Sequence, residues 1–156
     1  MRRVDLNRLE PEYDDADPDG YRAGMDRFGQ RLGAVMIGGS VYELPPQQSN
    51  CPYHYEYGNE EWLIVLQGRL TVRHPDGEDE LGPGEVVCFP VGPDGAHKLT
   101  NRSQEIVRVL MLSTKIDPSV AVYPDSDKIG VWPAADRRDH VMVRRESSVD
   151  YWDGEA

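Results

Sequence analysis

From Leu32 onward the sequence divides into short apolar segments that are separated by turn chemistry and are too brief for helices. GAVMIGGSVYEL is followed by PYHYEY, EWLIVL, RLTVRH, EVVCFP and EIVRVLMLST. Gln67-Gly68 divides the third segment from the fourth, Pro75-Asp76-Gly77 ends the fourth, and Gly82-Pro83-Gly84 precedes the fifth. Apolar runs of this length between Gly, Pro and Asp punctuation read as strands, and their regular spacing suits a sandwich or barrel. No amphipathic segment of helical length interrupts residues 33–113, which argues against a sheet built from β-α-β units. The fold class expected is all-β.

The chain has 156 residues, enough for one domain with a sizeable core. Residues 1–32 are rich in Asp, Arg and Gly and lack a sustained helical period, so they read as an irregular N-terminal arm. Residues 33–113 are expected to form the all-β body, and residues 114–156 are too short for a second core. They are expected to pack on the same domain as a C-terminal extension, through extended pieces such as VMVRR and an aromatic clasp. The longest strongly apolar run, Trp62 to Leu66, falls far below the roughly 20 residues of a bilayer span. Acids outnumber bases 28 to 17, for a net charge of −11. Such a balance opposes tracking of a phosphate backbone, despite the late cluster of Arg137, Arg138, Arg144 and Arg145. Neither a membrane nor a nucleic acid is therefore expected as a partner. Cys51 and Cys88 form no CxxC pair and no secretory leader follows Met1, so a cytoplasmic setting is expected.

Within PYHYEY, strand alternation sends Tyr53, Tyr55 and Tyr57 to one face and His54 and Glu56 to the other. Taken alone, the polar pair is either the wet side of an edge strand or part of a site. Glu61 bears on that choice. It opens EWLIVL, which is apolar on both faces and therefore expected to be buried on both, in line with Leu63 and Val65. A carboxylate there requires a partner, a metal or an exposed strand end.

His54-Tyr55-Glu56, then Glu61 and Gly68, resembles the first motif of the cupin family. Gly84-x5-Pro90-x-Gly92 ending in His97-x3-Asn101 is similar to the second. The resemblance implies a jelly-roll barrel with a metal inside, held by His54, Glu61 and His97, with Glu56 in the fourth ligand position. Three departures stand out. Glu56 occupies the place of a second histidine, Gln48 replaces the leading glycine, and the stretch from Gly92 to His97 is two residues longer than usual.

Two imidazoles with one or two carboxylates suit a divalent ion, and the donor set does not choose among iron, manganese, zinc and nickel. A metal-free pocket is the alternative. Glu56 is read either as a fourth ligand or as a general base beside an open position. The function implied is that of a metalloenzyme of the dioxygenase, isomerase or lyase kind acting on a small polar molecule. The competing reading is a non-catalytic module that binds a small ligand such as a sugar. A homodimer is expected, paired through the aromatic face of Tyr53, Tyr55 and Tyr57. His74 and His140 lie in polar, turn-like contexts and are expected to be solvated.

Overall fold

The computed structural model describes residues 1–133 and 137–155. Its strands are β1 (Gly24–Asp26), β2 (Ile37–Leu44), β3 (Tyr55–Tyr57), β4 (Glu61–Gln67), β5 (Leu70–His74), β6 (Gly77–Leu81), β7 (Val86–Phe89), β8 (Lys98–Thr100), β9 (Val107–Thr114), β10 (Ser119–Tyr123), β11 (Lys128–Trp132) and β12 (Val141–Arg144). Helix α1 (Gly29–Leu32) is a single turn, and the remaining helical pieces among the described residues are 3-10 turns. The fold is all-β, as the segment lengths require.

The strands form a five-stranded sheet in the order β1-β2-β9-β4-β7, a four-stranded sheet β12-β11-β10-β3 and a three-stranded sheet β6-β5-β8. The pairings within them are antiparallel. The N-terminal segment supplies β1, which pairs along β2 with Met25 opposite Tyr42. The Phe28 ring then lies so close over Gly39 that a Cβ there would come within 2.7 Å of it. The C-terminal segment supplies β10, which pairs with β3, and β11 and β12 beyond it.

Polarity changes along the inner face of the five-stranded sheet in the same direction on three strands. On β4 the inward series is Glu61, Leu63, Val65. On β9 it is Ser113, Met111, Val109, Val107, and on β2 it is Ser40, Tyr42, Leu44. Register places Glu61 beside Ser113, Leu63 beside Met111 and Val65 beside Val109. The apolar ends of these series join Leu70, Val72, Phe89 and Leu99 in one buried cluster. The polar ends are left to line a cavity. One end of the barrel is thus packed solid by the hydrophobic effect, and the other holds the site.

Two expectations about faces are corrected. Tyr53 and Tyr55 are buried against Ala96 and Val122, and the Arg73 guanidinium lies 3.8 Å over the Tyr53 ring. Tyr57, 48% exposed, is the one member of the trio left at the surface, so no aromatic patch is presented there. The cause is β10, whose Val122 covers what sequence alternation alone would leave bare. Conversely, the outer side of EWLIVL is not fully buried, since Trp62 is 44% exposed and Ile64 and Leu66 are half-buried. No helix among the described residues is long and apolar enough to cross a membrane.

Candidate metal centre

His54 and His97 face each other because their backbones do. His54 N–H donates to the His97 carbonyl at 3.1 Å, and His97 N–H donates to the His54 carbonyl at 2.8 Å, forming an isolated antiparallel bridge. The longer Gly92–His97 connection is absorbed by the 3-10 turn Pro93–Gly95 and does not displace His97. Gly92 enters this turn at φ +89, a left-handed conformation that favours glycine, and a Cβ at Gly95 would collide with the Pro90 carbonyl. The His97 ring is further fixed by stacking on Phe89, with centroids 3.7 Å apart and planes 10° from parallel.

Each imidazole has its Nδ1 beside a backbone carbonyl, His54 at 3.0 Å from Pro52 O and His97 at 2.9 Å from Gly95 O. Nδ1 in each is therefore the protonated nitrogen, and the Nε2 lone pairs turn toward Glu61. Glu61 Oε2 lies 3.4 Å from His97 Nε2 and 3.8 Å from His54 Nε2. One ligand atom from each of the three residues falls within 4.8 Å of the others. His97 Nε2 is buried with no hydrogen-bond partner among the described residues.

These contacts are not salt bridges in the neutral pH range. Burial lowers the His97 pKa to about 3, with the neighbouring His54 adding to the effect against the Gly95 carbonyl. Burial also lowers that of His54, against the opposing pull of Glu56. Glu61 is pushed up to about 7, by burial first and by the Glu56 carboxylate second. A neutral imidazole pair and a carboxylate poorly solvated by its surroundings form a set of lone-pair donors that a divalent cation would satisfy. The donor set therefore fits the metal that the motifs imply.

Glu56 borders the same cavity from β3 but stands outside the three-residue cluster. Its Oε2 accepts from Asn59 Nδ2 at 2.8 Å and from Ser119 Oγ at 3.3 Å. Asn59 is itself locked, its Oδ1 accepting from the Ile116 N–H at 2.9 Å. Cys51 lines the cavity too, with Sγ 3.5 Å from His54 Nδ1, and burial raises its pKa, so it remains a thiol. His74 lies half-buried, 3.2 Å from Asp79. His140 is exposed as expected, yet it also edges the cavity.

The cavity has a volume of about 810 Å³. Several residues of its wall went unnoticed in the sequence: Tyr42 and Lys115 from the five-stranded sheet and its exit, Ser119, Tyr123 and Trp132 from the tail strands, and Arg27 from the arm. Tyr123 lies 5.8 Å from His54, ring to ring, and burial raises its phenol to about 12. None of these carried a local signal, because each reaches the site through strand pairing far along the chain.

Residues 40–113 match the family model for the cupin domain. No curated protein matches the sequence. Among solved structures, a sugar phosphate isomerase of the cupin superfamily from Silicibacter pomeroyi is similar with a TM-score of 0.80 at 23% identity, over 97% of this chain and 98% of that one. A proposed sugar phosphate isomerase from Acidithiobacillus ferrooxidans gives 0.81 at 22% identity, over 93% and 91%. The polyketide cyclase RemF from Streptomyces resistomycificus gives 0.62 at 23% identity, over 76% and 83%. The first two likenesses take in the arm and the tail strands as well as the barrel. At these identities they establish fold alone. The two motifs and the family match identify residues 40–113 as a cupin domain.

Proposed function

We propose that the chain is a metal-dependent isomerase acting on a small hydroxylated carbonyl compound of the sugar class. The observation that carries this reading is the buried, unpartnered His97 Nε2, aimed at Glu61 beside His54 on the wall of a polar cavity. His54, Glu61 and His97 would hold one divalent ion. When bound, such an ion polarises a substrate oxygen as a Lewis acid. The whole-chain likeness to two proteins described as sugar phosphate isomerases, one of them as a proposal, favours isomerisation over the oxygenase and lyase alternatives.

The chain's own residues supply the proton chemistry. Asn59 and Ser119 hold Glu56 by Oε2, which fixes the carboxylate and leaves Oε1 to act as the base. In an aldose–ketose exchange, Glu56 takes the proton from the hydroxyl-bearing carbon and returns it to the neighbouring carbonyl carbon. The hydroxyl proton passes to the former carbonyl oxygen, so the substrate gains and loses no atom. Tyr123, protonated throughout the neutral range, donates a hydrogen bond to a substrate oxygen.

The deciding experiment combines elemental analysis of the purified chain with a turnover screen of aldose and ketose phosphates in deuterated water, with iron, manganese, zinc or nickel restored. Expected are one metal per chain, turnover, and deuterium entering the product at the carbon that receives the proton. Failure to bind any of these metals overturns the reading. Metal binding without turnover or exchange favours the non-catalytic ligand-binding alternative. Homodimerisation belongs to the same reading, now through the outer face of the five-stranded sheet.

A further inference from the structure

A side recess of about 110 Å³ adjoins the site and shares Glu61 with it. At about 30 Å³ per water in the liquid, that is room for three or four waters. Its wall carries Arg27, Gln30, Ser40, Ser113 and Lys115, and all five also line the larger cavity. Each offers at least one N–H or O–H donor. Glu61 is the one acidic side chain in the recess wall.

The two cations differ in their surroundings from the ion-paired cations of the chain. In a protein with 28 acids against 17 bases, surface cations are commonly paired, as Arg31 is with Asp26 at 2.6 Å and Arg73 with Asp125 at 2.6 Å. Asp26 precedes Arg27 directly, but Arg31 occupies it. Neither Arg27 nor Lys115 takes part in an ion pair among the described residues. Lys115 is steered toward the recess by its surroundings. Its N–H donates to the Met36 carbonyl at 3.0 Å, and its stem passes over Gly38, where a Cβ would lie 3.1 Å from both Lys115 Cε and Ser113 Oγ. Glycine at 38 leaves the space the lysine crosses.

We propose that Arg27 and Lys115, with Gln30, Ser40 and Ser113, form an oxyanion subsite that holds the phosphate of a phosphorylated substrate while its sugar carbons lie against the triad. The link to substrate rests on the isomerase reading above; the subsite itself does not. Arg offers a planar fork of donors and Lys a mobile point charge, a combination suited to a tetrahedral dianion. A diffuse origin for such binding is opposed by the net charge of −11, which repels anions everywhere except where cations are concentrated.

The test is calorimetric titration of orthophosphate into the full chain at low ionic strength, both as purified and after chelation, with acetate as the carboxylate comparison. Chelated wild type is expected to bind orthophosphate. The double variant Arg27→Gln/Lys115→Gln should bind it at least about tenfold more weakly, given the strength of charge-assisted hydrogen bonds. Metal content and melting temperature should not change in that variant. Absence of phosphate binding to chelated wild type, or equal binding by the double variant, overturns the subsite. Acetate binding as tight as phosphate overturns its assignment to phosphate. A chain that binds phosphate through these residues but takes up no metal keeps the subsite and overturns the metal-centre reading. A chain that binds metal but no phosphate does the reverse.

Discussion

His54 and His97 are held by the backbone, through mutual carbonyl bonds and Nδ1 contacts to Pro52 and Gly95. Truncating either ring should therefore remove a proposed ligand without dismantling the barrel. His54→Ala and His97→Ala are each expected to lose most bound metal while keeping the wild-type circular dichroism spectrum, and full metal stoichiometry in both would exclude the triad. Glu56 separates two roles by the same logic. As a base outside the cluster, Glu56→Gln should abolish turnover and leave metal bound, whereas a ligand role would lower both. The pKa of Glu61 sets a further expectation. Its folded value of about 7 exceeds the ordinary 4.5, so between those pH values the folded metal-free chain binds more protons than the unfolded one, and this carboxylate's contribution falls as pH rises. The two histidines act in the opposite sense, because the unfolded chain protonates them below about pH 6.5 and the folded chain does not. Glu61→Gln isolates the first effect. Compared by chemical denaturation after chelation, the variant should gain on wild type between pH 4.5 and 7 and hold a constant advantage above. A difference that does not vary with pH would mean that Glu61 is not buried as a charge.

Strands β4 and β9 explain why the site was partly legible and partly not. Glu61 opening an apolar strand is visible in one dimension, since burial of a lone carboxylate demands compensation. His54 and His97 became legible through their motifs. Arg27, Lys115 and Tyr123 did not, because register, not periodicity, brings them to the cavity, and register is fixed by pairings such as Val122 with Tyr55 and Ile37 with Thr114. The same limit hid the burial of Tyr53 and Tyr55: alternation gives the face of a side chain, and what covers that face comes from distant segments, Val122 of the tail, Ala96 and Arg73. On β4 the division of labour can be measured. Leu63, fully buried beside Met111, belongs to the packed end, so Leu63→Ala should cost about 2–5 kcal/mol in denaturant unfolding and leave metal content intact. Gly95→Ala tests the other end. Its Cβ meets the Pro90 carbonyl, so it should destabilise by about 1–3 kcal/mol and also lower metal occupancy, because the turn that must shift carries His97.

At the scale of the whole molecule, the outer face of the five-stranded sheet is unlike that of a sheet meant for water, which would alternate polar residues outward. Across it run two apolar rows set by register, Leu112, Trp62 and Cys88 in one, Leu110, Ile64 and Val86 in the other. Trp62 is 44% and Val86 52% exposed, and the neighbouring Ile37 is 55% exposed. The six residues of the rows are uncharged, and the one carboxylate that reaches them, Glu60, accepts from Trp62 Nε1 at 2.7 Å, in a chain whose net charge of −11 would otherwise hold two copies apart. On the reading proposed above, a second copy covers this strip, because a self-complementary apolar strip needs no opposite charge and removes the same strip from water twice. The expected state is a homodimer paired through this sheet, in place of the tyrosine face that Val122 and Ala96 cover. Sedimentation at micromolar concentration should give a dimer for wild type and a folded monomer for Trp62→Glu, which places a charge at the centre of one row. Tyr57→Ala should remain dimeric. A wild-type monomer would remove the argument for pairing altogether, and a Trp62→Glu dimer that Tyr57→Ala breaks would return the interface to β3.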